Sequence, residues 1–256
     1  VLAAFVLKRR TIIHEQNVKP GIANSFLSYF ADKVAISFKK TEDFIRRKDL
    51  VLTGNPLRRE IFNIDKISAL KRFNFSTDKF HILVIGGSQG SHSINMLTVG
   101  ALSIMDSPAK NKMEFIHITG DNDYNQILES YKGLGVSANV FAYLDGIGYA
   151  YAASDLVIAR AGATTISEIL LFNLPSILIP YPYARAHQVL NARVLEEGGC
   201  CVLRDEKEIS PETLKSILLE FYSNRGILSN MTENCRRLFT GGSARNLANL
   251  VIHSRP

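Results

Sequence analysis

"DLVIARAGATTISEILLF", Asp155 to Phe172, decides the fold. Its first part is a short apolar run rich in Val and Ile, the composition of a strand buried on both faces. Its second part places apolar residues at helical spacing after a glycine. A strand that runs through a glycine into a helix is half of a parallel β–α unit. "HILVIGGSQGS", His81 to Ser91, has the same form and precedes a helical pattern near Ser93 to Met105. Within the opening stretch, Thr165 and Glu168 have the S/T-x-x-E spacing of a capping box, in which the acid closes its own helix start. The same carboxylate, near a helix start at a strand end, is also suited to accept two hydrogen bonds from a ribose diol. The local pattern alone leaves both readings open.

Outward from these two units the alternation continues. "TIIHE", "VAISF" and "DLVLTG" read as strands in the first third, with a helix around Ile22 to Ala31. "MEFIHITG", "NVFAYL", "PSILIPY" and "CCVLR" are further strands, interleaved with helices at "YNQILESY", Gln188 to Glu197, Pro211 to Tyr222 and Ser229 to Leu238. Alternating apolar strands and helices predict an α/β fold with parallel, doubly wound sheets. The polar stretch from Asn74 to Lys79 marks the boundary between a basic first unit, residues 1–76, and a second unit, residues 77–240. "GGSARNLANLVIHS" predicts a terminal helix in residues 241–256 that packs back on the first unit.

The chain has 256 residues, 46% hydrophobic and 21% charged, which suits one large globular domain or two small ones. Its longest apolar runs, such as 174–180, are far too short to span a bilayer. Cys200, Cys201 and Cys235 form no C-x-x-C pair, so buried thiols are expected rather than a metal or disulfide framework. The opening "VLAAFVLKRR" is apolar and then basic, the reverse of a signal peptide. It reads as the tail of an amphipathic helix in a chain that starts inside a domain.

Charge is unevenly placed. Residues 1–80 hold 16 Lys and Arg against 8 Asp and Glu, whereas residues 81–256 hold 14 against 16. The basic clusters are Lys8-Arg9-Arg10, Lys39-Lys40, Arg46-Arg47-Lys48 and Arg58-Arg59. Such a half suits an anionic partner such as a lipid surface or a phosphate ligand. No nucleic-acid-binding motif accompanies the charge, so nucleic acid is not expected.

Ligands of open α/β sheets bind beyond the carboxyl ends of the strands, so candidate residues follow each strand. In "GGSQGS" the glycines let the backbone approach a phosphate, the helix start supplies N–H groups, and Ser88 adds a hydroxyl. A serine stands where a dinucleotide fingerprint has its second glycine, which leaves a pyrophosphate reading open. In "GNPLR" Arg58 offers a forked pair of donors after a turn. "YARAHQVLNA" brings His187 and Gln188 to the same sheet edge. "HEQN" supplies Glu15 and Asn17 as ligand candidates, with His14 read as structural. There is no Ser-His-Asp arrangement, metal-ligand spacing or P-loop lysine.

In order, "HEQN", "GNPLR", "GGSQGS", "ITG", "RAGATTISE" and "HQVLNA" resemble the MurG family of bacterial glycosyltransferases. This family adds N-acetylglucosamine from UDP-N-acetylglucosamine to undecaprenyl-pyrophosphoryl-muramyl-pentapeptide during peptidoglycan synthesis. The resemblance covers essentially the whole chain. It implies a GT-B fold of two Rossmann-like domains, here with an incomplete first domain, and peripheral attachment to the cytoplasmic face of the bacterial membrane. It implies inversion with no cofactor and no tightly held metal. Carried over by motif, Ser88 and Gln89 sit by the diphosphate with Arg58 near it. Leu144 and Ile147 border the uracil, and Glu168 takes the ribose hydroxyls. His187 and Gln188 contact the sugar, and Asn17 approaches it from the first domain. The family's two glycine-rich acceptor loops, one ending in the histidine that helps place the proposed base, are absent, so no residue here is assigned as base. Gly146, in "YLDGIGYAY", stands where the family often has an acid or methionine and is expected to loosen that turn. Two other readings fit the same residues: a nucleotide-sugar-binding module completed by another chain, and a UDP-N-acetylglucosamine epimerase of similar fold.

Overall fold

A computed structural model describes residues 1–47, 49–87, 89–183 and 186–253. Helix α1 (Leu2–Val6) leads to a parallel sheet of β1 (Ile12–Glu15), β2 (Lys33–Ile36) and β3 (Leu50–Leu52), in the order β1-β2-β3. Helix α2 (Ile22–Leu27) connects β1 and β2 and ends a turn earlier than the sequence pattern predicts. The core of this unit is small: Ile13, Val34, Ile36 and Ile45 meet around Ala31.

Helix α3 (Lys66–Arg72) precedes the second sheet and is capped by Asp65, whose side chain accepts from Ser68 N–H at 2.9 Å. The sheet contains β4 (Phe80–Ile85), β5 (Met113–Ile118), β6 (Ser137–Phe141), β7 (Leu156–Ala159), β8 (Ser176–Leu178) and β9 (Cys201–Leu203). All its pairings are parallel, in the order β6-β5-β4-β7-β8-β9. Helices α4 (His92–Ser103), α5 (Ser107–Lys110), α6 (Tyr124–Leu134), α7 (Ile147–Ala153), α8 (Ala163–Leu171) and α9 (His187–Glu197) alternate with the strands. Helices α10 (Pro211–Ser223), α11 (Arg225–Leu238) and α12 (Ser243–His253) close the chain. The α/β, parallel-sheet reading therefore holds.

Side chains of the central strands alternate between two core layers, as the two-residue period of a strand requires. Ile82, Val84, Phe115, Leu156 and Ile158 point to the layer completed by α4, α6 and α10. Leu83, Ile116, Val157 and Ala159 point to the layer completed by α7, α8 and α9. Burial on both faces explains why these strands read as continuous apolar runs. The second layer also takes in Ala69, Leu70, Phe73 and Phe75, so α3 packs against α7 rather than against the first sheet. Cys200, Cys201 and Cys235 are all buried and free.

Contacts between the units are specific. Lys40 pairs with Glu197 at 2.6 Å. Asn246, on α12, donates to the Thr53 carbonyl at 3.4 Å, and Ser243 lies over Gly54, where an added Cβ would collide with it.

Candidate functional site

The chain runs β4, β5, β6 toward one edge of the second sheet and β7, β8, β9 toward the other. Strand order therefore reverses between β4 and β7, and a crevice must open beyond their carboxyl ends. A cleft of about 480 Å³ lies there, with Ile85 and Gly87 of the β4 exit on one wall and Gly162 to Thr165 of the β7 exit on another. Arg58 and Asn17 face it from the first-unit side.

The loop after β4 folds tightly because glycine permits it. Gly90 has φ +75°, and a Cβ there would strike the Thr119 backbone; a Cβ on Gly120 would strike the Gln89 carbonyl. The two loops thus lie backbone to backbone. Below them, Asn95 donates to the Thr119 carbonyl at 2.9 Å and to Asp123 at 2.7 Å, while His117 Nε2 lies 3.0 Å from the Asn95 oxygen. Among the described residues no side chain caps the start of α4 at Ser91, which leaves its first N–H groups uncapped.

Helix α8 overturns the capping-box reading. It begins at Ala163 with Gly162 at its N-cap and no side-chain cap. Thr165 lies in the first turn and Glu168 in the second, too far along to close the helix start. The reason is local: Gly162 adopts the extended N-cap conformation itself, φ −65° and ψ 147°. The N–H groups of Ala163, Thr164 and Thr165 therefore remain available at the cleft. Glu168 instead accepts a 2.9 Å hydrogen bond from the hydroxyl of Tyr151, a fully buried residue. Burial raises the Glu168 pKa above the ordinary carboxylic-acid value, against the opposing effects of Tyr151 and the Arg58 charge.

The cleft brings together five of the nine residues expected from sequence: Asn17, Arg58, Leu144, Ile147 and Glu168. Ser88 lies outside the described residues. Gln89 is exposed and its backbone carbonyl packs on Gly120; it is not among the residues of the cleft wall. His187 borders a shallower depression next door, shared with Gln16, Asn17 and Asn24. Its Nδ1 lies 2.9 Å from the Lys19 carbonyl, which only accepts, so Nδ1 carries a hydrogen. The side-chain oxygen of Gln188 accepts from Tyr181 N–H at 2.9 Å and Ala161 N–H at 3.2 Å, which leaves its NH₂ for other partners.

Of the other "HEQN" residues, Glu15 is 2% exposed, and its carboxylate accepts from the N–H groups of Asn17 and Gly21 and from the Asn24 amide. It builds the loop rather than facing a ligand. His14 points Nε2 at the Gly54 carbonyl, and burial lowers its pKa despite that bond and the Glu15 charge. Gly146 takes φ +75° at the start of α7, so it sets the turn rather than loosening it.

Sequence reading missed three residues that hold the site. Tyr151 orients Glu168. Arg160 is 6% exposed; it donates to Ser91, Ser93 and the carbonyls of Ile179 and Pro180, and pairs with Glu206 at 2.5 Å. It ties the start of α4 to the exit of β8. Asn191, in "HQVLNA", is fully buried and bridges the two units. An arginine ending an otherwise apolar strand was the one available signal, since a buried guanidinium needs partners.

A second cavity of about 470 Å³ lies behind this cleft, between the first sheet and the α11–α12 segment. It is away from the switch point and the exposed ends of α4 and α8, so the front cleft is the candidate site.

Residues 81–249 match the glycosyltransferase family 28 C-terminal domain. The chain belongs to glycosyltransferase family 28. It is 40% identical over 232 residues to the UDP-N-acetylglucosamine--N-acetylmuramyl-(pentapeptide) pyrophosphoryl-undecaprenol N-acetylglucosamine transferase of Thermodesulfovibrio yellowstonii, covering 90% of this chain and 63% of that protein. It is 35% identical over 261 residues to the transferase of the same name from Halothermothrix orenii, covering 98% of this chain and 70% of that protein. The fold matches Acinetobacter baumannii MurG with a TM-score of 0.80 at 24% identity, over 98% of this chain and 70% of that one. A Neisseria meningitidis UDP-GlcNAc 2-epimerase matches with a TM-score of 0.69 at 13% identity, over 99% and 72% of the two chains, which shows the shared fold alone. This family 28 chain is therefore GT-B-like and homologous to MurG.

Proposed function

We propose that the front cleft binds UDP-N-acetylglucosamine, and that the chain is the donor-side part of an inverting glycosyltransferase acting on a lipid-linked muramyl-pentapeptide. The observation that carries this reading is the composition of the switch-point cleft: the uncapped start of α8, a guanidinium and a hydrogen-bonded carboxylate. In such a transfer an acceptor hydroxyl oxygen attacks the anomeric carbon of the sugar. The bond from that carbon to the UDP oxygen breaks, and the hydroxyl proton passes to a base. Negative charge then grows on the departing diphosphate. Arg58 and the N–H groups of α4 and α8 supply fixed positive potential for it. Glu168 takes the ribose hydroxyls, and Leu144 and Ile147 border the uracil. Ser88 and Gln89 complete the diphosphate side, with His187, Gln188 and Asn17 around the sugar. No residue of this chain is assigned as the base.

The same reading places the chain at the cytoplasmic face of a bacterial membrane, attached peripherally. Among the described residues no helix is long and apolar enough to cross a membrane. Phe5, Val6 and Leu7, next in sequence to Lys8 and Arg9, are exposed in the first unit, as are Ile22, Phe26 and Tyr29. This apolar and basic composition suits an anionic lipid surface. Arg47 does not contribute: its guanidinium is spent on Asp49 and on the carbonyls of Ser28 and Ala31.

Calorimetric titration with UDP-N-acetylglucosamine tests the proposal. One saturable site is expected, with UDP competing for it. A chain shown folded by circular dichroism that gives no saturable binding contradicts it. An epimerase of the same fold would release altered or free sugar from UDP-N-acetylglucosamine without a lipid acceptor, which product analysis detects.

A further inference from the structure

The interior amide of Asn191 is fully buried and its polarity is fixed by its neighbours. Its oxygen accepts from Val18 N–H at 2.9 Å. Its NH₂ donates to the Ala161 carbonyl at 3.2 Å and to the side-chain oxygen of Asn17 at 3.0 Å. A backbone N–H only donates and a carbonyl only accepts, so the Asn191 amide has one possible orientation.

That orientation dictates the next one. Asn17 must turn its oxygen to Asn191, and its NH₂ toward Glu15, whose carboxylate lies 3.3 Å away and only accepts. Turning the Asn17 amide over would set NH₂ against NH₂ and oxygen against carboxylate. One Asn17 N–H is used by Glu15; the second has no partner among the described residues, and Asn17 lines the cleft. Asn17 belongs to the first unit, whereas Asn191 sits on α9 beside the β7 exit. The two amides therefore link the walls of the cleft across the units.

We infer that Asn191 is a positioning residue: it holds Asn17 so that its amide donates, and never accepts, a hydrogen bond at the sugar end of the site. This rests on the donor-site reading above. The ligand group it selects is an oxygen acceptor, either a sugar hydroxyl oxygen or the acetamido carbonyl. UDP alone lacks the N-acetylglucosamine ring that carries these groups, so it makes no use of Asn17.

A binding cycle tests the inference. Affinities for UDP-N-acetylglucosamine and for UDP are measured on the full chain, on Asn17→Ala, on Asn191→Leu and on the double variant. One lost neutral hydrogen bond predicts roughly three- to tenfold weaker UDP-N-acetylglucosamine binding for each single variant. The double variant should bind no more weakly than Asn17→Ala, and UDP affinity should stay within about twofold throughout. A residue that merely supports the fold would weaken UDP binding too, and its effect would multiply with that of Asn17→Ala; either result overturns the inference. Asn17→Asp keeps the oxygen that Asn191 binds but removes the cleft-facing N–H, so it tests the same polarity even if Asn191→Leu fails to fold. It should weaken UDP-N-acetylglucosamine binding as Asn17→Ala does, and full affinity overturns the inference. Absence of wild-type binding to either nucleotide would instead remove the donor-site reading itself.

Discussion

Replacing Glu168 by glutamine separates its two functions. The variant keeps an oxygen to accept from Tyr151 and removes a half-buried charge. Burial raises the pKa of Glu168, so the ionised form is penalised in the folded chain. With a raised folded-state pKa, the associated stability is present below the unfolded value of about 4.5 and is lost as pH rises through the folded value. At neutral pH the wild type carries that penalty and the glutamine variant does not, so Glu168→Gln should melt no lower than wild type. Binding should move the other way. A carboxylate accepting from two ribose hydroxyls makes charge-assisted bonds, and converting the pair to one neutral acceptor costs about 1.5–3 kcal/mol. That corresponds to roughly 10- to 150-fold in the dissociation constant. UDP and UDP-N-acetylglucosamine share the ribose, so both should weaken equally. Calorimetry with both ligands and a thermal melt of the empty chain provide the assay. A lower melting temperature with unchanged affinities would refute the reasoning, since it would make Glu168 a structural residue.

Four further outcomes follow. Arg58→Lys loses the forked donor pair and should weaken UDP about tenfold while leaving uridine, which has no phosphate, unaffected in the same titration. Gly90→Ala forces a Cβ into the Thr119 backbone at φ +75°, so denaturant unfolding should show a loss of about 2 kcal/mol or more. Burial alone would raise the Asp155 pKa, but His81 and Lys66 together bring it down to about 2, so its stabilisation should be full above pH 4 and lost as pH falls toward 2. Asp155→Asn should accordingly lose about 2 kcal/mol in neutral urea titrations and flatten that acid limb. Neutralising Lys8 and Arg9 together should reduce binding to phosphatidylglycerol vesicles by roughly 1 kcal/mol per charge, in a salt-sensitive manner seen by co-sedimentation.

The parallel sheets were legible because burial on both faces leaves apolar strands that only a doubly wound layer can cover. The loops were legible because a glycine follows β4 directly and β7 within three residues. Helix α3 escaped notice: its apolar Ala69 and Leu70 gain meaning only from α7, a partner far along the chain. Helix α7 was hidden inside "YLDGIGYAY", whose glycines argue against a helix until Gly146 is seen to sit at its start in the left-handed region. Thr165 and Glu168 showed the limit of local pattern: the capping-box spacing is present, yet Gly162 opens the helix and the acid turns to Tyr151. Tyr151, Arg160 and Asn191 act through partners 17 to 174 residues away in sequence, and no local motif encodes such pairings.

Hydrogen exchange of the backbone amides with and without UDP-N-acetylglucosamine addresses the switch-point cleft most directly. Among the described residues no side chain caps the starts of α4 and α8, so a ligand should supply partners for their N–H groups. Protection is expected in segments 86–94 and 162–166, with little change around 37–40 and 237–243 at the rear cavity. Protection confined to the rear segments, or none at the two helix starts at saturating ligand, would contradict the assignment of the front cleft as the nucleotide-sugar site.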